Sequence, residues 1–530
     1  MIDAATLHRR LRDARRPDAA PAQELALVDI REPGEFKDGH LLLASNLPLS
    51  RLEWLAPSVL PRLDVSVVVC AATADDPRLA RAASALRRWG YTTVKTLDAD
   101  FAQCEQAGFV VFTGFNVPSK AFGEWLERNR DTPHVRAGDL AGRLADASPP
   151  LVLDCRPADE HARGAVPGAV NLPGVELARR AAMLDPGGTR PIVVHCAGRT
   201  RGIVATQTLI DLGYPNPVQV LENGLMGWQL SGHELGATQA APLAAPPAPP
   251  PDWLVARAVA LAERCGARAW SEDAAGSTTG HTVYGFSVGT ADEAARLAPE
   301  GFHAVPGGQL LQGLDDHVAV QGARLIIHAP DPVRAALTAA YLCQMGWNDV
   351  WWLNTAGGKA QPKVSRIAPQ PRPASAAEPW LVARPNWWRE AGTLILDLGN
   401  SRRYREQHLP GAQFAARALL PQVLQPGPRI QRILLCCDDG ELSAAASDEV
   451  AELTGLDVFV LQGGVTAWAD AGGPVASDPV WLTEAIDVAT TPYDYRGDLA
   501  AQMQAYIDWE LALEAQVERD GVLRFRECRA

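Results

Sequence analysis

The residues best equipped for chemistry lie in one run: Ile192-Val193-Val194-His195-Cys196-Ala197-Gly198-Arg199-Thr200-Arg201-Gly202. Its apolar start reads as a buried strand, and a helical pattern follows from about Ile203. A cysteine between a strand and a helix can sit in a ring of backbone N–H groups, which lowers a thiol pKa and favours anionic sulfur. Ala197, Gly198, Thr200 and Gly202 carry no bulky side chain that would close such a ring. Arg199 or Arg201 could grip an oxyanion through its planar guanidinium while the other braces the loop. The chemistry on offer is nucleophilic attack by a thiolate, with provision for an anionic leaving group.

Neighbouring residues read as framework. His195 precedes the cysteine on the strand, so its ring points to the other side and a Cys–His base pair is not expected. Asp154 and Arg156 are expected to stabilise adjoining loops and to support the entrance to the site. Cys155, Glu160, His161, Asn171 and Trp228 are expected in the core or frame.

The elements that would position this loop recur along the chain. Apolar runs end at Asp29, Asp154 and Asp397, with a histidine downstream each time at His40, His161 and His408. Second strands are expected at Val65–Cys70, Ile192–His195 and Ile433–Cys436, and third strands near Val94–Leu97, Val218–Leu221 and Val458–Leu461. A further copy has a blurred front but keeps Arg324–His328 and Val350–Leu353. Strands alternating with helical stretches predict an α/β protein of tandem parallel sheets flanked by helices. Ligands in such sheets meet the C-terminal strand ends, where Cys196 falls. The expected units are 1–130, 131–240, 252–367 and 377–478, followed by a helix-rich extension over 479–530. Pro/Ala-rich stretches at 242–251 and 369–379 read as linkers.

The other copies lack the equipment. Ala71 and Ala329 align with Cys196, and Ala329-Pro330-Asp331-Pro332 loses amide donors at both prolines. Cys437 occupies the equivalent place in the last copy, but Asp438, Asp439 and Glu441 follow it and would raise a thiol pKa. It is therefore a secondary site at most, in a relay or redox role.

A length of 530 residues exceeds a single hydrophobic core, and 47% apolar with 21% charged residues suits a globular chain. No apolar run reaches the roughly 18–20 residues that span a bilayer. The N-terminal stretch lacks the apolar core of a secretory signal. A net charge of −13 disfavours nucleic acid as a partner. Nine cysteines without paired spacing suggest free thiols and a reducing, cytoplasmic setting.

Taken together, Asp154-x-Arg156, Glu160-His161, Pro167-Gly168-Ala169-x-Asn171-Leu172-Pro173, the Cys196 loop and Asn223-Gly224-Leu225-Met226-Gly227-Trp228 resemble the rhodanese-like sulfurtransferase family. The resemblance covers about residues 5–478 and includes the degenerate third copy through Val305-Pro306-Gly307-Gly308. It implies that Cys196 takes a sulfane sulfur from thiosulfate or a related donor, carries it as a persulfide, and passes it to a thiol or persulfide acceptor. It implies no organic cofactor and no metal. Related phosphatases hold phosphate with a cysteine, five residues and an arginine; here Gly202 stands in the arginine's place, so the loop fits the smaller sulfur. A noncatalytic sulfur sensor or persulfide carrier is the alternative.

Overall fold

The computed structural model describes residues 1–185, 187–238, 249–271, 280–353, 362–367, 379–380, 391–494 and 496–529. Both expected linkers, at 242–251 and 369–379, lie largely outside those residues.

Four α/β units follow one another, each built on a sheet whose central strands are parallel. In the first, Leu25–Asp29 lies beside Ser66–Cys70, which lies beside Thr93–Thr96. The corresponding trios are Leu151–Asp154, Ile192–His195 and Val218–Leu221; Val283–Ser287, Arg324–His328 and Val350–Trp352; and Thr393–Asp397, Arg432–Cys436 and Asp457–Leu461. Helices cover both faces, so these short strands are apolar along nearly their whole length. The blurred front of the third copy contains a full strand, Val283–Ser287. The fourth sheet runs on to Val480–Trp481, which pairs with Gln413–Phe414 just past the expected limit.

The register is the same in every unit. Asp29 pairs with Cys70, Asp154 with His195, Ser287 with His328, and Asp397 with Cys436. The next residue on the first strand then donates its amide to the carbonyl of that partner, as in Cys155 to His195 at 3.0 Å. The place where the Cys196 loop begins is therefore set by the sheet and not by the loop itself.

The units are not independent. Val320–Gln321 of the third pairs antiparallel with Leu25–Ala26 of the first. Thr282 donates its amide and hydroxyl to the buried Glu24 carboxylate, and the Tyr284 hydroxyl reaches the Val59 carbonyl at 2.6 Å. A helix over Val117–Arg130 links the first unit to the second and packs on the helix Thr200–Asp211.

The C-terminal extension forms a long helix, Leu499–Asp520, lying against Val117–Arg130. Its buried Leu513 and Val517, with Val522 and Leu523 beyond it, join the first unit's core. Phe525 stacks edge-on against Phe122. The tail ends with Cys528 bonded to Cys265, so these two cysteines depart from the expectation of free thiols. The partners stand 263 residues apart and meet only because the tail returns to the third unit, which no local spacing could reveal. The remaining seven cysteines are free and buried.

A bridge that closes so long a loop stabilises mainly by restricting the unfolded chain. Reduction of the wild type is expected to lower unfolding stability by about 2–4 kcal/mol. Denaturant titrations with and without dithiothreitol should differ for the wild type and coincide for Cys528→Ser.

Candidate functional site

Cys196 directly follows the buried strand Ile192–His195 and is itself 2% exposed. The loop after it is shaped by its neighbours. The Cys196 and Ala197 carbonyls accept the amides of Leu225 and Met226, both at 3.0 Å. In a trans peptide C=O and N–H point in opposite directions, so the Ala197 and Gly198 amides turn away from that helix. Gly224 makes this approach possible: its φ is +54°, and a Cβ there would stand 2.4 Å from the Gly198 carbonyl oxygen. The helix begins at Thr200 rather than near Ile203, three residues earlier than the periodicity suggests. Its first turn is polar and carries no apolar signal, although it brings the Gly202 amide onto the sulfur.

The thiol is drawn down to about 7. The adjacent Cys155 thiol is the largest cause, burial works against it, and the Arg201 cation and Gly202 amide add to the lowering. The Cys155 thiol itself is pushed well up by that contact and by burial, so it stays protonated. His195 is fully buried, and burial holds its imidazole down at about 4, which keeps it neutral at ordinary pH. It gives Cys196 no base, as the strand alternation predicts.

Neither arginine offers a free fork to an anion. Arg199 donates to the two Glu124 oxygens at 2.8 and 2.7 Å, to Glu127, and to Asn223 Oδ1 at 2.8 Å. Arg201 donates in parallel to the two Glu160 oxygens at 2.7 and 2.8 Å. Both arginines expected to meet an oxyanion are thus engaged with carboxylates here. Both brace the loop, and Arg201 also contributes its charge to the thiol. Thr200 lies buried at the helix start, and Ala197, Gly198 and Gly202 line the backbone cradle.

Asp154 and Arg156 support the site from beneath. Arg156 pairs with Asp154 at 2.6 Å and caps the Gly164 carbonyl at 2.7 Å. Burial would raise Asp154, but His195 and Arg156 hold its carboxyl down at about 2. His161 contacts the same carboxylate, and Asn171 bridges the Asp154 and Arg156 carbonyls. Trp228 is buried, with its indole N–H on the Glu234 carbonyl.

The fourth unit reproduces the cradle but not its electrostatics. Cys437 Sγ accepts the Gly440 amide at 3.1 Å and the Ser443 amide at 3.5 Å. Burial and then Asp439 nevertheless push this thiol up. Ala71 and Ala329 occupy the matching places in the other units, both buried. Cys70 and Cys436 end strands, and Cys343 lies inside the helix Pro332–Gln344.

Residues 10–107, 137–231 and 383–471 match the rhodanese-like domain family. The chain belongs to the rhodanese-like family. Its whole length is similar to a thiosulfate sulfurtransferase of Pseudomonas aeruginosa known from a crystal structure: 33% identity, TM-score 0.88, covering 100% of this chain and 99% of that one. Shorter similarities link this rhodanese-like chain to an HTH-type transcriptional regulator of Mycobacterium tuberculosis, 34% identical over 90 residues, and to the uncharacterised protein YqhL of Bacillus subtilis, 39% identical over 75. The chain spans 39% and 56% of the lengths of those two relatives, and the matched stretches cover 17% and 14% of this chain. The third unit falls outside the family matches yet repeats the strand order of the second.

Sequence reasoning missed the acidic arms around the loop. Glu124 and Glu127 come from the helix linking the first two units, where their spacing of three puts both on one face. Glu510 comes from the C-terminal helix: a Cβ on Gly198 would stand 2.8 Å from its Oε2. The other Glu510 oxygen takes Lys120 Nζ at 2.7 Å.

Two variants separate bracing from charge. Arg199→Ala leaves Glu124 buried without its cation and should cost about 3–5 kcal/mol of stability in denaturant titration. Arg201→Gln should move the alkylation midpoint of Cys196 upward from about 7. Thiolate increases as pH rises through the pKa, so losing a nearby cation shifts that rise to higher pH. Iodoacetamide labelling against pH, read on the Cys196 peptide, measures it.

Proposed function

We propose that this chain is a thiosulfate sulfurtransferase-like enzyme in which Cys196 carries the sulfur. The observation that carries the reading is a buried thiol drawn down to about 7 at the end of a central strand, beside backbone amides that small residues leave open. The whole-chain similarity to a thiosulfate sulfurtransferase supports the reaction class.

The Cys196 thiolate attacks the outer sulfur of a sulfane donor such as thiosulfate. The donor's S–S bond breaks, sulfite leaves with the electron pair, and the sulfur stays on Cys196 as a persulfide. An acceptor thiolate then attacks the outer sulfur, takes it as its own persulfide, and returns Cys196 to the thiolate. With both arginines committed to carboxylates, loop amides are the groups left to meet the outgoing anion. The step needs no metal or organic cofactor. Asp154, Arg156 and Glu160 act by holding the loop.

The partners in this reading are a small sulfur donor and a thiol or persulfide acceptor, with no role for nucleic acid or membrane. Among the described residues no helix is long and apolar enough to cross a membrane. A reducing setting suits the Cys196 thiol, whereas the Cys265–Cys528 bridge is of a kind that such a setting disfavours. Cys437 takes no sulfur in this reading, and the other units shape and cover the active one.

Thiosulfate should add one sulfur, about 32 Da, on the Cys196 peptide. Cys196→Ser should lose both this adduct and thiosulfate:cyanide turnover while keeping its fold by circular dichroism. Turnover surviving in that variant would move the site elsewhere, with Cys437 first in line. A single equivalent of adduct without turnover would favour the carrier reading.

A further inference from the structure

One buried thiol beside the site, Cys155, helps draw the Cys196 thiol down yet forms no bond in the transfer reaction. Cys155 follows Asp154 as Cys196 follows His195, and those two residues are register partners on neighbouring parallel strands. In-register residues of adjacent strands lie about 4.8 Å apart and point to the same face. The core shows this alternation directly: Leu151, Leu153, Cys155, Ile192, Val194 and Cys196 all lie in one apolar cluster, while Val152 and Val193 lie in another on the opposite face. Both the amide and the thiol of Cys155 donate to the His195 carbonyl, at 3.0 and 3.2 Å, which fixes the side chain beside the strand that ends at Cys196.

The other three units serve as internal comparisons, because the same pair of positions holds Ile30 and Ala71, Val288 and Ala329, and Leu398 and Cys437. Among the four units, two thiols face each other only in the second. The usual spacing of adjacent strands, about 4.8 Å, lies within the Cα separation of about 4.4–6.8 Å that a disulfide requires. Cys155 also lines a cavity of about 400 Å³ between the second and third units, bordered by Thr200, Arg201, Gly308 and Tyr341.

We propose that Cys155 is a resolving thiol that discharges the Cys196 persulfide when no acceptor arrives. This rests on the persulfide reading of Cys196 given above. The proton of the Cys155 thiol first passes to the terminal sulfur of the persulfide; the Cys155 thiolate then attacks Sγ of Cys196, the bond between Sγ and the outer sulfur breaks, and HS⁻ leaves with the electron pair, so Cys155–SH and Cys196–S–S⁻ become a Cys155–Cys196 disulfide and HS⁻. The sulfane sulfur is reduced to sulfide while the two cysteine sulfurs are oxidised to the disulfide. An external dithiol then reduces this bond and restores both thiols. The site would therefore have two outputs, a transferred sulfur and free sulfide, selected by which thiol reaches the persulfide first.

The test uses the full chain with thiosulfate and no acceptor or reductant, and follows sulfite, sulfide and intact mass over time. In the wild type the adduct of about 32 Da should give way to a species about 2 Da below the starting mass, with one sulfide released per chain and a Cys155–Cys196 peptide pair in the non-reducing digest. Dithiothreitol should return the starting mass of that pair. Cys155→Ser keeps a small donor beside Cys196 and Cys155→Ala removes it, so the alanine variant should form the adduct more slowly; both should hold the adduct once formed and release no sulfide. A wild type that keeps its adduct and yields neither sulfide nor the linked peptides would overturn the role of Cys155 while leaving the Cys196 reading intact. Equal sulfide release from the wild type and both variants would overturn it as well. No sulfur on Cys196 in any of the three chains would overturn the reading of the site and the resolving role with it. The linked peptide is sought in the wild type, so the test does not depend on how either variant folds.

Discussion

A guanidinium cannot be buried without partners, and the loop around Cys196 is organised by this requirement. Arg199 lies almost wholly out of solvent, and the carboxylates that neutralise it, Glu124 and Glu127, belong to the helix that precedes the second unit. Its remaining donor goes to Asn223 at the turn into the next helix. One side chain thus ties the cradle both to its own unit and to the preceding helix. A second unit cut at 131–240 would retain the strand and the cysteine but lose both glutamates. The minimal folded site is larger than the minimal repeat.

The same arrangement explains why the thiol is activated without an obvious base. Burial alone raises a thiol pKa, as it does for Cys70, Cys343 and Cys436. Cys196 differs through a thiol donor, a nearby cation and a backbone amide, with Glu510 opposing them. Cys437 has the amides but neither the cation nor the thiol neighbour, since Leu398 stands where Cys155 does, and burial and Asp439 push it up. The backbone ties of the two loops to the following helix are nearly the same, so the difference lies in the side chains around the sulfur.

Much of this could be read from residue order because a buried parallel strand leaves a strong local signal. Apolar runs ending in Asp154 and His195 marked the central strands to within a residue, and the small residues after Cys196 marked the cradle. The carboxylate partners of Arg199 and Arg201 could not be read from residue order, because Glu124 and Glu160 lie 75 and 41 residues away and leave no local trace. The Cys265–Cys528 bridge was hidden for the same reason. The polar first turn at Thr200–Gly202 masked the start of its helix. Cys155 could be read as buried, but its position opposite Cys196 depends on strand register, which periodicity does not give.

The pairing of Val320–Gln321 with Leu25–Ala26 bears on the order in which the chain can mature during synthesis. The first sheet is made early, yet part of one of its strands finds a partner only after some three hundred further residues have left the ribosome. Until then an apolar edge stands open, the kind of surface that invites pairing with a neighbouring nascent chain. Closure comes later still, since Cys265 must wait for Cys528, 263 residues further on. A polypeptide arranged in this way completes its first unit only after Leu513, Val517, Val522 and Leu523 have been made, so the earliest folded part waits on a segment several hundred residues downstream.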